Sequence, residues 1–194
     1  MPVLSFLLYI IVTSFTPGPN NIMAMIFANK YGLKKTMKFC LGVGAGFLIV
    51  MLLCSYFNLL LKNFIPKIEF FMTILGAIYM LYLALKIVSS KNNSKNNDDD
   101  RNNSFFMGML LQFINPKGIL YGITAIATFI LPYHNSNFSL IMYSLFLAFV
   151  GFVSTFCWSL FGSVFQKFLS KYRNQFNIVM ALLLMYSAVS ILIK

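Results

Sequence analysis

The chain has 194 residues, 59% of them hydrophobic and only 10% charged, with a mean hydropathy of +0.80. A soluble domain is about 45–50% apolar, so there are too few charges here to clothe a soluble surface. The composition fits one integral membrane domain over residues 1–194 and nothing else. The formal net charge of +11 sits between apolar runs, where cations set topology; a nucleic-acid partner is not expected.

A helix needs about 20 mainly apolar residues to cross the hydrocarbon core. Six spans satisfy this in chain order: 4–28, 39–61, 68–88, 105–131, 138–165 and 176–193. The start, Met1-Pro2-Val3-Leu4, lacks a basic n-region and a small-x-small site, so a cleaved signal peptide is not expected.

The first span is broken by Thr16-Pro17-Gly18-Pro19-Asn20-Asn21. Each proline pushes the residue before it out of the α region and lacks a donor, so the helix is expected to unwind at 16–18 and restart with Pro19 at its first position. That leaves carbonyls free at the end of the first half-helix. The N–H groups of Asn20, Asn21 and Ile22 are expected to face the gap, a ready anion site. Lipid cannot satisfy opened backbone, so a break at this depth lines a cavity or is a packing kink closed by neighbours.

The second span carries Gly42-Val43-Gly44-Ala45-Gly46, a small-residue face for close helix approach. The third is short, with Glu69 and Lys86 able to snorkel to the two surfaces. Residues 89–104 are rich in Asn, Ser and Lys around Asp98-Asp99-Asp100 and read as a cytoplasmic linker. The linker divides the chain into repeats 1–88 and 105–194 of three spans each, an inverted-topology arrangement if the two are related.

The fourth span is broken at Asn115-Pro116-Lys117-Gly118, with Asn115 placed to cap, Pro116 at the first helical position and Lys117 in the first turn. Gly118 and Gly122 give this helix a small-residue face as well. Lys117 is roughly 18 Å from the nearer end of its span, beyond the reach of its stem. A cation there also opposes the positive end of its own helix. The only acids, Glu69, Asp98, Asp99 and Asp100, lie at or outside the surfaces. Two readings stand: a bound ligand supplies the missing anion, or a neutral lysine bonds freed carbonyls. The first reading fits a zwitterion, its carboxylate at Lys117 and its ammonium at the unwound carbonyls and the asparagines.

The fourth and fifth spans are joined by a turn at 132–137. Tyr79, Tyr82, Tyr121 and Trp158 are pocket candidates, with core or interface packing as the plainer reading. Cys40, Cys54 and Cys157 are scattered in apolar sequence without metal or disulfide spacing, and no metal or cofactor is expected. Eleven of the fifteen Lys and Arg lie in loops one–two, three–four and five–six or at their edges, and three lie on the opposite face. Those three loops therefore face the cytoplasm and both termini face outward. The fifteenth is Lys117.

Taken together, Thr16-Pro17-Gly18-Pro19-Asn20-Asn21, the Gly42/Gly46 helix, Leu75-Gly76-Ala77-Ile78-Tyr79 and Asn115-Pro116-Lys117 resemble the LysE/RhtB family of bacterial amino-acid exporters, nearly end to end apart from the linker. Gly46-Phe47-Leu48-Ile49-Val50-Met51-Leu52-Leu53-Cys54, Ile119-Leu120-Tyr121-Gly122 and Cys157-Trp158 are similar to its cysteine and O-acetylserine branch. The resemblance implies a transporter, not an enzyme, in the bacterial inner membrane. It would export a small neutral amino acid or its thiol or acetyl derivative, driven by the proton-motive force. The two broken-helix motifs would be the substrate-binding elements. A homo-oligomer is allowed but not specified. Homoserine, threonine or lysine are the alternative cargoes, and the missing buried acid argues against a cationic one. A thiol-redox conduit would need cysteines beside the prolines, where Asn, Gly and Lys stand instead. A metal exporter would need buried histidine or carboxylate, and the one histidine, His134, is in the outer turn.

Overall fold

The computed structural model describes residues 1–89 and 103–192, with the backbone alone at 58–73, 169–170, 173 and 191. All regular structure in these residues is helical. The first span is a bent pair, α1 (Val3–Phe15) and α2 (Pro19–Tyr31), with 48° between the halves. Gly32 then turns the chain with φ +82°, a conformation that costs glycine little and other residues more. Next come α3 (Leu33–Tyr56) and α4 (Asn58–Ser89). The fourth span is a second bent pair, α5 (Phe105–Ile114) and α6 (Pro116–Thr124), with 64° between its halves. A π-helical segment, Ala125–Ile130, prolongs α6 before α7 (Asn137–Val164), α8 (Gln166–Lys171) and α9 (Arg173–Leu192).

Among the described residues, Leu33–Tyr56 and Asn137–Val164 are long and apolar enough to cross a bilayer unbroken, and the two bent pairs qualify as broken spans. Ile74–Ser89 and Asn174–Ser190 are apolar but shorter. The polarity of the bundle is inverted relative to a soluble protein. Leu4 and Phe138 are each 73% exposed, whereas Gln112, Ser144 and Ser159 are fully buried. A helical bundle with an apolar exterior and polar groups turned inward is solvated by lipid.

The central helix, α3, packs on α5 and α7, and α7 in turn packs on α2. Glycines make the closest of these crossings possible. A Cβ at Gly42 would strike the carbonyl of Phe105, one at Gly108 the carbonyl of Phe39, and one at Gly162 the carbonyl of Met25. Gly118 and Gly122 do something else. They make room for the side chains of Gln112 and Met51, not for a neighbouring backbone. The outer pair, α4 and α9, close on each other and on α2 through Met25, Met80, Met180 and Leu184.

Several boundaries differ from the sequence reading. The expected loop at 62–67 is helix, because α3 ends at Tyr56 and α4 starts at Asn58. Leu59-Leu60-Leu61 continue the apolar run past the joint, so hydropathy alone does not register a one-residue bend at Phe57. Lys62, Lys67 and Glu69 therefore lie on the first turns of α4, which at 32 residues is about 48 Å long and exceeds the hydrocarbon thickness. The π segment and α8 were not expected. Most of the 89–104 linker, including Asp98-Asp99-Asp100, and Ile193 of the last span lie outside the described residues. Ser104 closes the linker by accepting from the Met107 N–H at 3.2 Å, a side-chain cap for α5.

Candidate functional site

At the first break, Thr16 (φ −62°, ψ 149°) and Gly18 (φ −161°, ψ 168°) are extended and Pro19 opens α2, as the two prolines require. Helix α1 therefore ends with carbonyls that no following turn can bond. Side chains from other elements satisfy them. Ser14 O accepts from Asn21 Nδ2 at 2.9 Å and from Ser154 Oγ at 2.7 Å, and Phe15 O from Trp158 Nε1 at 3.2 Å. Thr16 O accepts from Asn21 Nδ2 at 3.2 Å, and Pro17 O from Ser187 Oγ at 3.3 Å. One expectation fails here: the Ile22 N–H does not face the gap but bonds Gly18 O at 2.9 Å within the helix.

The second break forms at Asn115 (φ −78°, ψ 100°), with Pro116 opening α6. Gly76 of α4 receives the Pro116 ring so closely that a Cβ would overlap it. Asn115 does not cap α6 with its side chain, contrary to expectation, and its buried Oδ1 has no partner. The residue instead helps to line a cavity between the two breaks.

Lys117 connects the breaks. Its Nζ donates to Thr16 O and Thr16 Oγ1, both at 2.8 Å, and to Pro17 O at 3.3 Å. The Thr16 hydroxyl uses its own proton on Thr13 O at 2.9 Å, so it accepts from the lysine. These are the freed carbonyls that the second reading assigned to Lys117, and an ammonium there has a donor for each of the three contacts. The cation that opposes its own helix end thus lies against the negative end of α1. Gly18 gives it room, since a Cβ there would come within 3.1 Å of Lys117 Cδ and 3.3 Å of Nζ. A second expectation is corrected as well. The unwound carbonyls of Thr16 and Pro17, reserved by the sequence reading for a guest ammonium, are held by Lys117.

Between the breaks lies a cavity of about 40 Å³, space for about three waters. Gly18, Asn20, Asn21, Asn115 and Lys117 line it, whereas Thr16, Pro17, Pro19 and Pro116 shape the backbone behind it. Val43, Phe47 and Gly151 form an apolar wall. Tyr121 is the pocket candidate that reaches it, stacked on Tyr9 at 5.9 Å and edge-on to Phe47 at 5.6 Å. Tyr82 is exposed, and Trp158 serves the Phe15 carbonyl.

Gln112 was missed by the sequence reading and is central. It is fully buried, lines the cavity, and accepts from Asn20 Nδ2 at 2.6 Å. A lone amide within the apolar run Phe105–Ile114 was the available signal. Five residues that line this cavity each carry a buried polar atom without a hydrogen-bond partner: Ser14 Oγ, Asn20 Oδ1, Gln112 Nε2, Asn115 Oδ1 and the Tyr121 hydroxyl. The Ser14 and Tyr121 hydroxyls face each other without meeting hydrogen-bond geometry. Such orphans are costly unless a polar guest answers them.

Among the described residues, no three His, Cys, Asp or Glu side chains gather as a metal site. Cys40 and Cys54 are fourteen residues apart on α3, about 21 Å along one helix and too far to exchange a disulfide.

Residues 11–194 match the family model described as LysE type translocator. The chain is 39% identical over 187 residues to the cysteine/O-acetylserine efflux protein of Escherichia coli strain K12, covering 96% of this chain and 95% of that protein. The same values hold for the cysteine/O-acetylserine efflux proteins of Shigella flexneri serotype 5b strain 8401 and Shigella sonnei strain Ss046. No solved structure matches the chain.

Proposed function

We propose that this chain, which belongs to the LysE type translocator family, exports cysteine, O-acetylserine or a similar small neutral amino acid across the bacterial inner membrane. It is a transporter, not an enzyme. The observation that carries the site assignment is the polar cavity between two broken helices, with Lys117 of one break bonded to the opened backbone of the other. The guest's carboxylate meets the Lys117 ammonium, and its ammonium meets Asn20 Oδ1 and Asn115 Oδ1, both buried acceptors without partners. Val43, Phe47 and Gly151 receive a short uncharged side chain.

A space of about 40 Å³ does not admit an amino acid until its walls move. A carboxylate that draws Lys117 from Thr16 and Pro17 removes the tie between the breaks, so binding and opening become one event. The remaining reading is of six crossings in an inverted three-plus-three arrangement with both termini outside. In its support, each half contributes a broken span followed by an unbroken helix and a third one, and α3 packs on α7 while α4 packs on α9.

The test is efflux from cells and proteoliposomes, comparing cysteine and O-acetylserine with homoserine, threonine and lysine. Lys117→Ala is expected to reduce export to the level of vesicles without protein while leaving insertion intact. Thr16 O keeps Asn21 as a donor, and Pro17 O has the Ser187 hydroxyl, which it shares with Leu183 O, so insertion is expected to survive loss of the lysine. Wild-type rates in Lys117→Ala would remove the assignment.

A further inference from the structure

We infer that the buried Asn20–Gln112 amide pair is the element that restricts the cargo to amino acids without a cationic side chain. This rests on the exporter reading above and adds to it the rule by which charge is selected. Both amides are nine-tenths or more buried, and Asn20 Nδ2 donates to Gln112 Oε1 at 2.6 Å. What remains of the pair is one unpartnered acceptor, Asn20 Oδ1, and one unpartnered donor, Gln112 Nε2, on two residues that both line the cavity. Turning both amides over keeps the mutual bond and again leaves one donor and one acceptor. The pair therefore answers polar guests of either sense and never contributes charge.

Its placement is built into both breaks. Asn20 follows Pro19 at the start of α2, and Gln112 lies three residues before Asn115 near the end of α5. Gly118 supplies the room, because a Cβ there would overlap Gln112 Nε2. Among the residues lining the cavity, Lys117 is the one cation and there is no carboxylate. The lined site thus carries one positive charge. A zwitterion leaves that total unchanged, whereas a lysine-like cargo would place a second cation in a buried, low-dielectric space. A carboxylate at either amide position would cancel the Lys117 charge, and a cationic amino acid would then restore the total of the native loaded site.

The experiment uses the full-length protein in proteoliposomes loaded with equal concentrations of cysteine and lysine, the thiol kept reduced. The variants are Gln112→Glu, Asn20→Asp and the uncharged Gln112→Met. The lysine-to-cysteine efflux ratio is expected to rise about tenfold or more in both carboxylate variants, the scale of one poorly screened charge contact. Gln112→Met is expected to lose export of both. Where a carboxylate variant inserts but does not transport, thermal stabilisation by lysine over cysteine in detergent gives the same reading. An unchanged ratio without such stabilisation overturns the inference, as does normal cysteine export by Gln112→Met. Failure of both carboxylate variants to insert overturns it too, since each new carboxylate would share the cavity with an ammonium. Wild-type vesicles that release neither of these, nor O-acetylserine, homoserine or threonine, would refute the exporter reading instead, and wild-type vesicles that release lysine as fast as cysteine would refute the selection rule alone.

Discussion

Asn21 ties the end of α1 to the start of α2 and to α7. Its Nδ2 reaches Ser14 O, Thr16 O and, at 3.3 Å, Ser154 Oγ, while its Oδ1 accepts from Thr155 Oγ1 at 3.1 Å. Asn21→Ala leaves the Thr155 hydroxyl its Gly151 carbonyl partner and Ser14 O its Ser154 donor, so the loss is partial. A cost of about 1–3 kcal/mol is expected, the range for one buried polar group left wanting. Thermal or denaturant unfolding in detergent measures it, and a variant as stable as the native chain would show that the network does not hold the break. At this scale the sequence was informative wherever chemistry is local. Proline and glycine dictate Thr16 and Gly18 geometry whatever surrounds them, and a lysine deep in an apolar span stands out unaided. Partners were not legible, because Lys117 meets Thr16 across 101 positions and Gln112 meets Asn20 across 92. Those pairings exist only once the helices have packed. The carbonyls that looked open to a guest were closed by the very lysine that looked unpaired.

Between elements, the crossing of α3 and α5 is the tightest constraint on where the second break sits. Gly42 and Gly108 each leave no room for a Cβ against a carbonyl of the facing helix, and a backbone cannot rotate aside as a side chain can. Gly44 differs, since its Cβ would meet the Phe152 ring at 3.2 Å, a group that yields. Gly42→Ala is therefore expected to destabilise by about 1–3 kcal/mol, the usual range for overpacking, and Gly44→Ala by much less. Because Gln112 lies in the last turn of α5 and Asn115 directly follows it, Gly42→Ala should also lower efflux, whereas Gly44→Ala should retain it. Unfolding midpoints in detergent and efflux rates from the same preparations check both halves of this statement. Equal behaviour of the two variants would show that the crossing has slack. The glycine face of α3 was readable in the sequence because small residues four apart share one side of a helix. The joint at Phe57 was not, since an apolar run with a single bend has the same hydropathy as one without.

On the scale of the whole molecule, charge and aromatic packing divide the bundle into two ends. Phe6 near the start of α1 packs with Phe129 and Tyr143, which flank the turn at 131–136, and His134 lies against Tyr143 with the rings tilted. The N-terminus and that turn therefore share an end, with few cations. At the other end Asn29 Nδ2 reaches Gln166 O at 3.5 Å, joining the segments that carry Lys30, Lys34, Lys35 and Lys38 to those carrying Lys167 and Lys171. Moving these lysines across a bilayer opposes both their hydration and the bias of the insertion machinery, so this end should stay in the cytoplasm. Lys62 and Lys67, on the first turns of α4, are too few to reverse that bias. Reporter fusions at the C-terminus test the assignment: a periplasm-dependent phosphatase is expected to be active there and a cytoplasm-dependent fluorophore dark. Fusions in the 90–102 segment should give the opposite pair of signals. A fluorescent C-terminus would mean an odd number of crossings or a reversed chain. A reversed chain would still bring the two breaks in from opposite faces; an odd number of crossings arising before residue 105 would bring them in from the same face, and the arrangement that lets Lys117 tie one to the other would then need a different origin.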